Sequence, residues 1–184
     1  MKIDIFSIPL YIFEVENWKE KKKILYKLFK TEKLDDLDNN ISSFRNNSNH
    51  NVSKFIEIII PEIEKIKSHI NLGENDYVRI SNVWMQKYKK GMDHSIHNHG
   101  NCAMSAVLYI DLPKETQPTR FISPFDDVVT RKNIEFTPDV KEGNIVFFPG
   151  FLHHYSPVNK SKKEKFILSF NLVIERNGSL FLTD

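Results

Sequence analysis

Cysteine is almost absent from this 184-residue chain: Cys102 stands alone, so no intrachain disulfide can form. That excludes a disulfide-stapled secreted scaffold and fits a reducing, cytoplasmic setting. Long apolar runs are missing too. None approaches the roughly 18 residues a membrane-spanning helix needs. The first residues, Met1-Lys2-Ile3-Asp4-Ile5-Phe6, lack the layout of a signal peptide. A dominant charge is also missing, since 26 Lys and Arg stand against 24 Asp and Glu, for a net charge of +2. No segment combines a basic stripe with interleaved aromatics, so there is no nucleic-acid signature. The one basic run, Lys160 to Lys165, is interrupted by Ser161 and Glu164 and reads as a solvated loop. With no internal repeat and no linker, a single domain over residues 1–184 is expected, large enough to bury its own core.

What is present is histidine, in clusters. Five of the seven histidines lie in two short stretches: His94, His97 and His99, and some 55 residues later His153 and His154. Imidazole is the commonest side-chain metal ligand. On an extended strand, residues i and i+2 share a face, so His97 and His99 are expected to aim into one cavity, with a third ligand coming from another strand. Adjacent residues on a strand face opposite ways, so one of His153 and His154 points inward, and position alone does not choose between them. His50 and His69 read as surface residues, Trp84 as packing, Asp126-Asp127 as a solvated loop, and Cys102 as a small, partly buried strand residue.

The chain divides by period. Residues 3–13 read as a short strand with Pro9 inside it, favouring an edge or an end. Residues 17–30 have helical spacing behind Asn17 as N-cap, and the Asn-, Asp- and Ser-rich residues 35–51 read as a loop. A second helix is expected from Ser53 to Ile70, kinked or split at Pro61. From Tyr77 the period becomes two: Val78, Ile80, Asn82, Trp84 and Gln86 alternate with Arg79, Ser81, Val83, Met85 and Lys87. Further strands are expected at 105–110, 121–123, 134–137, 144–148 and 166–174. The segment from Asp111 to Asp139 is a candidate lid or substrate loop. The expected fold is therefore α+β but mostly β: a double-stranded jelly roll over 76–176, with residues 1–75 supplying two supporting helices.

The last strand carries a second signal. Phe166, Leu168, Phe170 and Leu172 form an apolar face, while Lys165, Ile167, Ser169, Asn171 and Val173 form the other. A polar stripe can simply be the solvent side of a sheet. It can also be the wall of a cavity for an anionic small molecule, with Lys165 as its charge partner and Ser169 and Asn171 as donors, because a buried lysine is costly unless an anion pairs with it. Tyr109, on the face of Ser105 and Val107, adds a phenol to the same anion.

The order Trp84…Tyr88-Lys89-Lys90-Gly91, His97-Asn98-His99, Ser105–Tyr109, Phe147-Phe148-Pro149-Gly150-Phe151-Leu152-His153-His154-Tyr155-Ser156-Pro157 and Phe166–Asn171 resembles the 2-oxoglutarate/Fe(II)-dependent oxygenases found in phage and marine bacterial genomes. The resemblance spans about residues 77–175. It implies a double-stranded β-helix holding Fe(II) and 2-oxoglutarate, and a hydroxylase that couples oxidation of the oxo-acid by O2 to oxidation of an unknown substrate. It also implies that His154 is the distal ligand and that His153 faces away or lines the mouth. Two departures stand out. His99 occupies the place of the carboxylate in the common two-histidine, one-carboxylate triad. A three-histidine site at His97, His99 and His154 is expected, the alternative being a carboxylate such as Asp93. Lys165 stands where an arginine is expected opposite the distal carboxylate of 2-oxoglutarate, and lacks its bidentate fork; Lys163 is the other candidate. The competing functions are a cupin-type three-histidine dioxygenase that uses no oxo-acid and a non-catalytic metal-binding jelly roll. A homodimer is compatible with the sequence.

Overall fold

The computed structural model describes residues 7–31, 34–37, 40–44 and 52–176. Two antiparallel sheets make up the body. The larger has the order β1 (Tyr11–Glu14), β9 (Asn144–Pro149), β6 (Met104–Asp111), β11 (Lys165–Arg176), β4 (Asp76–Tyr88), β3 (Ile41–Ser42) and β2 (Asp35–Asp36). The smaller has the order β5 (His94–His97), β10 (His154–Ser156), β7 (Arg120–Asp126) and β8 (Asn133–Phe136). This is the expected double-stranded β-helix, with helices α1 (Trp18–Thr31) and α2 (Val52–Lys67) in support.

The core is split by the larger sheet. On one side Phe166, Leu168, Phe170 and Leu172 pack with Leu25 and Leu28 of α1 and Phe55, Ile59, Ile63 and Ile66 of α2. On the other side Ile167, Val107, Tyr109 and Phe148 meet Phe121 from the smaller sheet and Leu152 from the turn before β10. The alternation read along β11 is therefore real: one face is helix-side core and the other looks between the sheets. Each large apolar side chain buried this way contributes about 1.5–3 kcal/mol. Trp18 ties α1 down by lying over Gly143, where a Cβ would come within 2.9 Å of the indole; the glycine's φ of +84° suits the turn before β9.

Several expectations need correction. Of the first expected strand, residues 3–6 lie outside the described residues, and β1 begins at Tyr11, after Pro9, which has no N–H for a ladder. The backbone carbonyl of Asn17 accepts the first turn's N–H groups from Glu20 and Lys21. The helix α2 is not split at Pro61 but runs through it to Lys67. Within 35–51, β2 and β3 form a small hairpin on the edge of β4, so the first 75 residues give the sheet strands as well as helices. Within 111–139 the strands expected at 121–123 and 134–137 are present as β7 and the outer strand β8, β7 being longer than expected, so that segment is part sheet and part loop. Cys102 lies in the turn before β6 rather than on a strand, with its Sγ 3.3 Å from Ser105 Oγ.

One correction concerns the site. Opposite β11, the pairing of β4 jumps from Asn82↔Asn171 to Ile80↔Leu172, leaving Ser81 as an extra residue. A one-residue bulge exchanges the faces of a strand. Val78 and Ile80 accordingly pack on the helix side with Val83 and Met85, whereas Trp84, Gln86 and Tyr88 look between the sheets. The single alternation read from Tyr77 onward holds only on each side of Ser81. Among the described residues no helix is long and apolar enough to cross a membrane.

Candidate active site

His97 ends β5 and His154 begins β10, and the two are register partners. Their ring centroids are 4.3 Å apart. His99 comes to the same point by another route than strand alternation, because β5 stops at His97. The turn that carries His99 is pinned to the one after β9: the His99 N–H donates to Gly150 O at 2.7 Å, and the His99 carbonyl accepts from Cys102 N–H at 2.9 Å. Only glycine fits there, since a Cβ on residue 150 would stand 2.3 Å from Cys102 O and 3.0 Å from His99 O. His99 then lies 5.2 Å, centroid to centroid, from both His97 and His154. One ligand-capable atom from each of the three falls within 4.8 Å of the others. Among the described residues no carboxylate joins this group, Asp93 included.

The hydrogen bonds set the tautomers. Nδ1 of His97 is 2.7 Å from Ser95 O, and Nδ1 of His154 is 2.9 Å from Leu152 O. A carbonyl can only accept, so each Nδ1 carries the proton and each Nε2 keeps its lone pair for a ligand. Burial, and then the proximity of the other imidazoles, brings His99 down to about 4 and His154 to about 3. Burial also lowers His97, against the hydrogen bond to Ser95. The rings are therefore neutral at physiological pH, the form that binds a metal. Phe148 packs edge-on against His154 at 4.6 Å, and Trp84 lies 5.6 Å from His99. His153, just before β10, is exposed, its Nε2 accepting from the Asn98 amide at 3.2 Å.

Lys165 is 1 % exposed. Its ammonium donates to Ser156 Oγ and, at 3.2 Å, to Gln117 O, and sits 4.5 Å over the Tyr88 ring. None of these is an anion, and burial alone carries the group from 10.5 down to about 7. Lys163, in contrast, is exposed on the preceding turn. Tyr109 is fully buried and accepts the Thr119 N–H at 3.0 Å; burial raises its phenol to about 12. Ser169, Ser156, Thr119 and Tyr88 share with the three histidines a narrow cavity of about 20 Å³. Lys165 and Tyr109 stand directly behind its wall, bonded to Ser156 and Thr119. Asn171 accepts from Ser105 Oγ at 2.8 Å and opens instead on a neighbouring polar cavity with Ser81, Asn82 and His99.

Sequence reasoning gave no role to His94, Gln86, Tyr88 or Ser156. His94 stacks on His97 at 4.1 Å, and its Nδ1 is 3.3 Å from the Gln86 amide. Ser156 had a signal: it lies two residues beyond His154 on one strand, and so on the same face.

A double-stranded β-helix with neutral imidazoles converging between its sheets is a scaffold for metal-dependent oxidation. Residues 82–171 match the family described as "Putative 2OG-Fe(II) oxygenase", a stretch that contains all three histidines and Lys165. Solved structures agree in fold. The non-haem α-ketoglutarate-dependent epimerase SnoN of nogalamycin biosynthesis is 13 % identical, with a TM-score of 0.70 over 95 % of this chain and 83 % of its own. HygX from Streptomyces hygroscopicus, solved with nickel and 2-oxoglutarate, is 7 % identical, with a TM-score of 0.67 over 91 % and 83 %. The viral collagen prolyl hydroxylase of Paramecium bursaria Chlorella virus-1 is 18 % identical, with a TM-score of 0.56 over 89 % and 94 %. No curated protein matches the sequence. The family match, on this fold and around this site, indicates a 2-oxoglutarate/Fe(II) oxygenase.

Proposed function

We propose that His97, His99 and His154 hold the Fe(II), that Lys165 pairs with the distal carboxylate of 2-oxoglutarate, and that the protein is a hydroxylase. When bound, the iron and the oxo-acid supply the oxidising chemistry, which ends in succinate, carbon dioxide and a hydroxylated product. The chain's own residues are of the kinds that both groups require. Two of the imidazoles have their Nδ1 proton fixed by a backbone carbonyl, which leaves Nε2 for the metal. The observation that carries the reading is Lys165: a buried ammonium with only a hydroxyl, a carbonyl and a ring for company. Such a charge is costly to keep unless an anion comes to meet it. Ser156, Ser169 and Thr119 offer hydroxyls along the same wall. Tyr109 acts through Thr119, whose backbone N–H it accepts. Asn171 acts through Ser105, which also borders the cavity. The cavity must widen to take a five-carbon diacid, since about 20 Å³ is room for one water. Phe148 packs against His154 and Trp84 against His99, which holds the imidazoles in place. The wider resemblance to phage and marine bacterial members belongs to the same reading.

The test is to mix the protein with Fe(II), 2-oxoglutarate and O2 and to measure succinate. Slow release without substrate is expected, and loss of that release in Lys165→Ala. Iron binding with no response to 2-oxoglutarate would overturn the reading in favour of a three-histidine dioxygenase. Tightly bound zinc with a fourth protein ligand would favour a non-catalytic site.

A further inference from the structure

Beside the histidines lies a second cavity, of about 260 Å³, whose ten lining residues include Leu37, Asn40, Phe44, Trp84, His97 and His99. Its outer wall is the β2–β3 hairpin, held against β4 by the Ile41↔Lys87 and Ser42↔Gln86 pairs and by the Ser43 N–H donating to Met85 O. Three properties narrow what it receives. First, His97 and His99 are common to this cavity and to the narrow one, so a group bound here lies against the imidazoles. Second, Phe44 and Trp84 meet edge to face at 5.2 Å, with Phe44 54 % exposed. That corner offers aromatic faces and edges to a flat ring. Third, Asn40 is 4 % exposed, and its Oδ1 has no hydrogen-bond partner among the described residues. Buried acceptors are almost always paired, and this one belongs to a residue that lines the cavity. Among the described residues, none of the ten that line it carries a carboxylate or an ammonium.

We propose that this cavity is the substrate site, and that it takes an uncharged flat ring with an N–H or O–H at its edge, an indole or phenol type of group. The ring packs against Phe44 and Trp84, and its donor satisfies Asn40 Oδ1. The volume suits a small ring system, below the range of drug-sized pockets. This assignment rests on the oxygenase reading, because it takes the imidazoles as the place where the substrate is oxidised.

The test compares indole with 1-methylindole, which has the same ring without the donor, on the full chain loaded with zinc and 2-oxoglutarate. Binding is followed by the NMR shift of the Trp84 side-chain N–H. Indole is expected to bind about tenfold more tightly, the typical worth of a donor to an otherwise unpaired acceptor. In Asn40→Leu the two ligands should bind within twofold of each other, and Phe44→Ala should weaken both several-fold. Equal binding of the two by the unaltered protein, or shifts that leave Trp84 untouched, would overturn the assignment; that comparison needs no variant to fold. Succinate release by the unaltered protein is measured separately. If it occurs while indole shows no preference, the substrate site is wrong and the oxygenase stands. If it does not occur, the oxygenase reading itself has failed.

Discussion

Replacing Lys165 with methionine is expected to have two opposite effects. The side chain keeps its length and loses its charge. Carrying the ammonium from 10.5 to about 7 means that at pH 7 the fold opposes its protonation by roughly 4 kcal/mol. Methionine removes that opposition, but it strands Ser156 Oγ and Gln117 O, which returns about 1–2 kcal/mol. The ligand-free variant should therefore be more stable at pH 7 by about 2–3 kcal/mol, a rise in melting temperature of roughly 5–10 °C. The pH dependence has a definite sign. The folded pKa lies below the unfolded one, so between about pH 7 and 10.5 the unfolded chain binds more protons. Stability of the unaltered protein rises with pH through that window. The variant's does not, and the advantage fades towards pH 10.5. Binding of 2-oxoglutarate should move the other way and weaken by about 30-fold or more, since losing one partner of a buried charge pair costs about 2–5 kcal/mol. Scanning calorimetry across pH and titration of 2-oxoglutarate into metal-loaded protein read the two effects. A variant that is less stable at pH 7 and binds the oxo-acid as before would show that Lys165 is a structural residue, and the argument for its partner would collapse.

Three further outcomes are expected. Because Lys165 must be charged to hold a carboxylate, the dissociation constant of 2-oxoglutarate should rise about tenfold per pH unit above about 7, up to the raised pKa of the complex; a flat profile from pH 7 to 9 contradicts this. His97→Ala, His99→Ala and His154→Ala should each lower metal affinity by more than the roughly 10- to 100-fold that an outer partner is worth. His153→Ala should leave it within a few-fold, with competition against a chelator as the readout; equal losses at His153 and His154 would undo the ligand assignment. Gly150→Ala forces a Cβ to within 2.3 Å of Cys102 O and 3.0 Å of His99 O, and should cost about 3 kcal/mol in urea unfolding. A cost below about 1 kcal/mol would mean that the two turns are not locked together.

Much of this could be read from residue order. The alternation of Phe166 to Leu172 revealed the two faces of β11, because a strand paired on both sides has little freedom to depart from period two. The histidine clusters and Lys165 were conspicuous for the same reason: polar residues on otherwise apolar strands. What escaped depends on pairing rather than on local pattern. The bulge at Ser81 exists only because β11 sets the register of β4, and nothing in Ile80-Ser81-Asn82 announces it. The β2–β3 hairpin has two residues per strand, too few for a period to show, within a stretch whose Asn and Asp read as loop. His99 was expected to converge through strand alternation. It converges through a turn held by Gly150, a contact across some 50 residues that no local rule contains.

The two faces of the larger sheet explain how the fold tolerates such a site. Between the sheets it keeps four neighbouring imidazoles neutral and an ammonium with no anion, arrangements that cost stability in the ligand-free protein. The same strands carry the compensation on their other side, where β11 and the helices bury an unbroken apolar layer. The bulge at Ser81 lets β4 serve both sides. Without it, Val78 and Ile80 could pack on α2 only if Trp84, Gln86 and Tyr88 turned away from the histidines. It also leaves Ser81 and Asn82 on the cavity that Asn171 and His99 border. The extra residue thus sits at the join between the part of β4 that stabilises the fold and the part that shapes the site. At that join a change of face costs least, because Asn82 and Asn171 pair there without contributing to either core cluster.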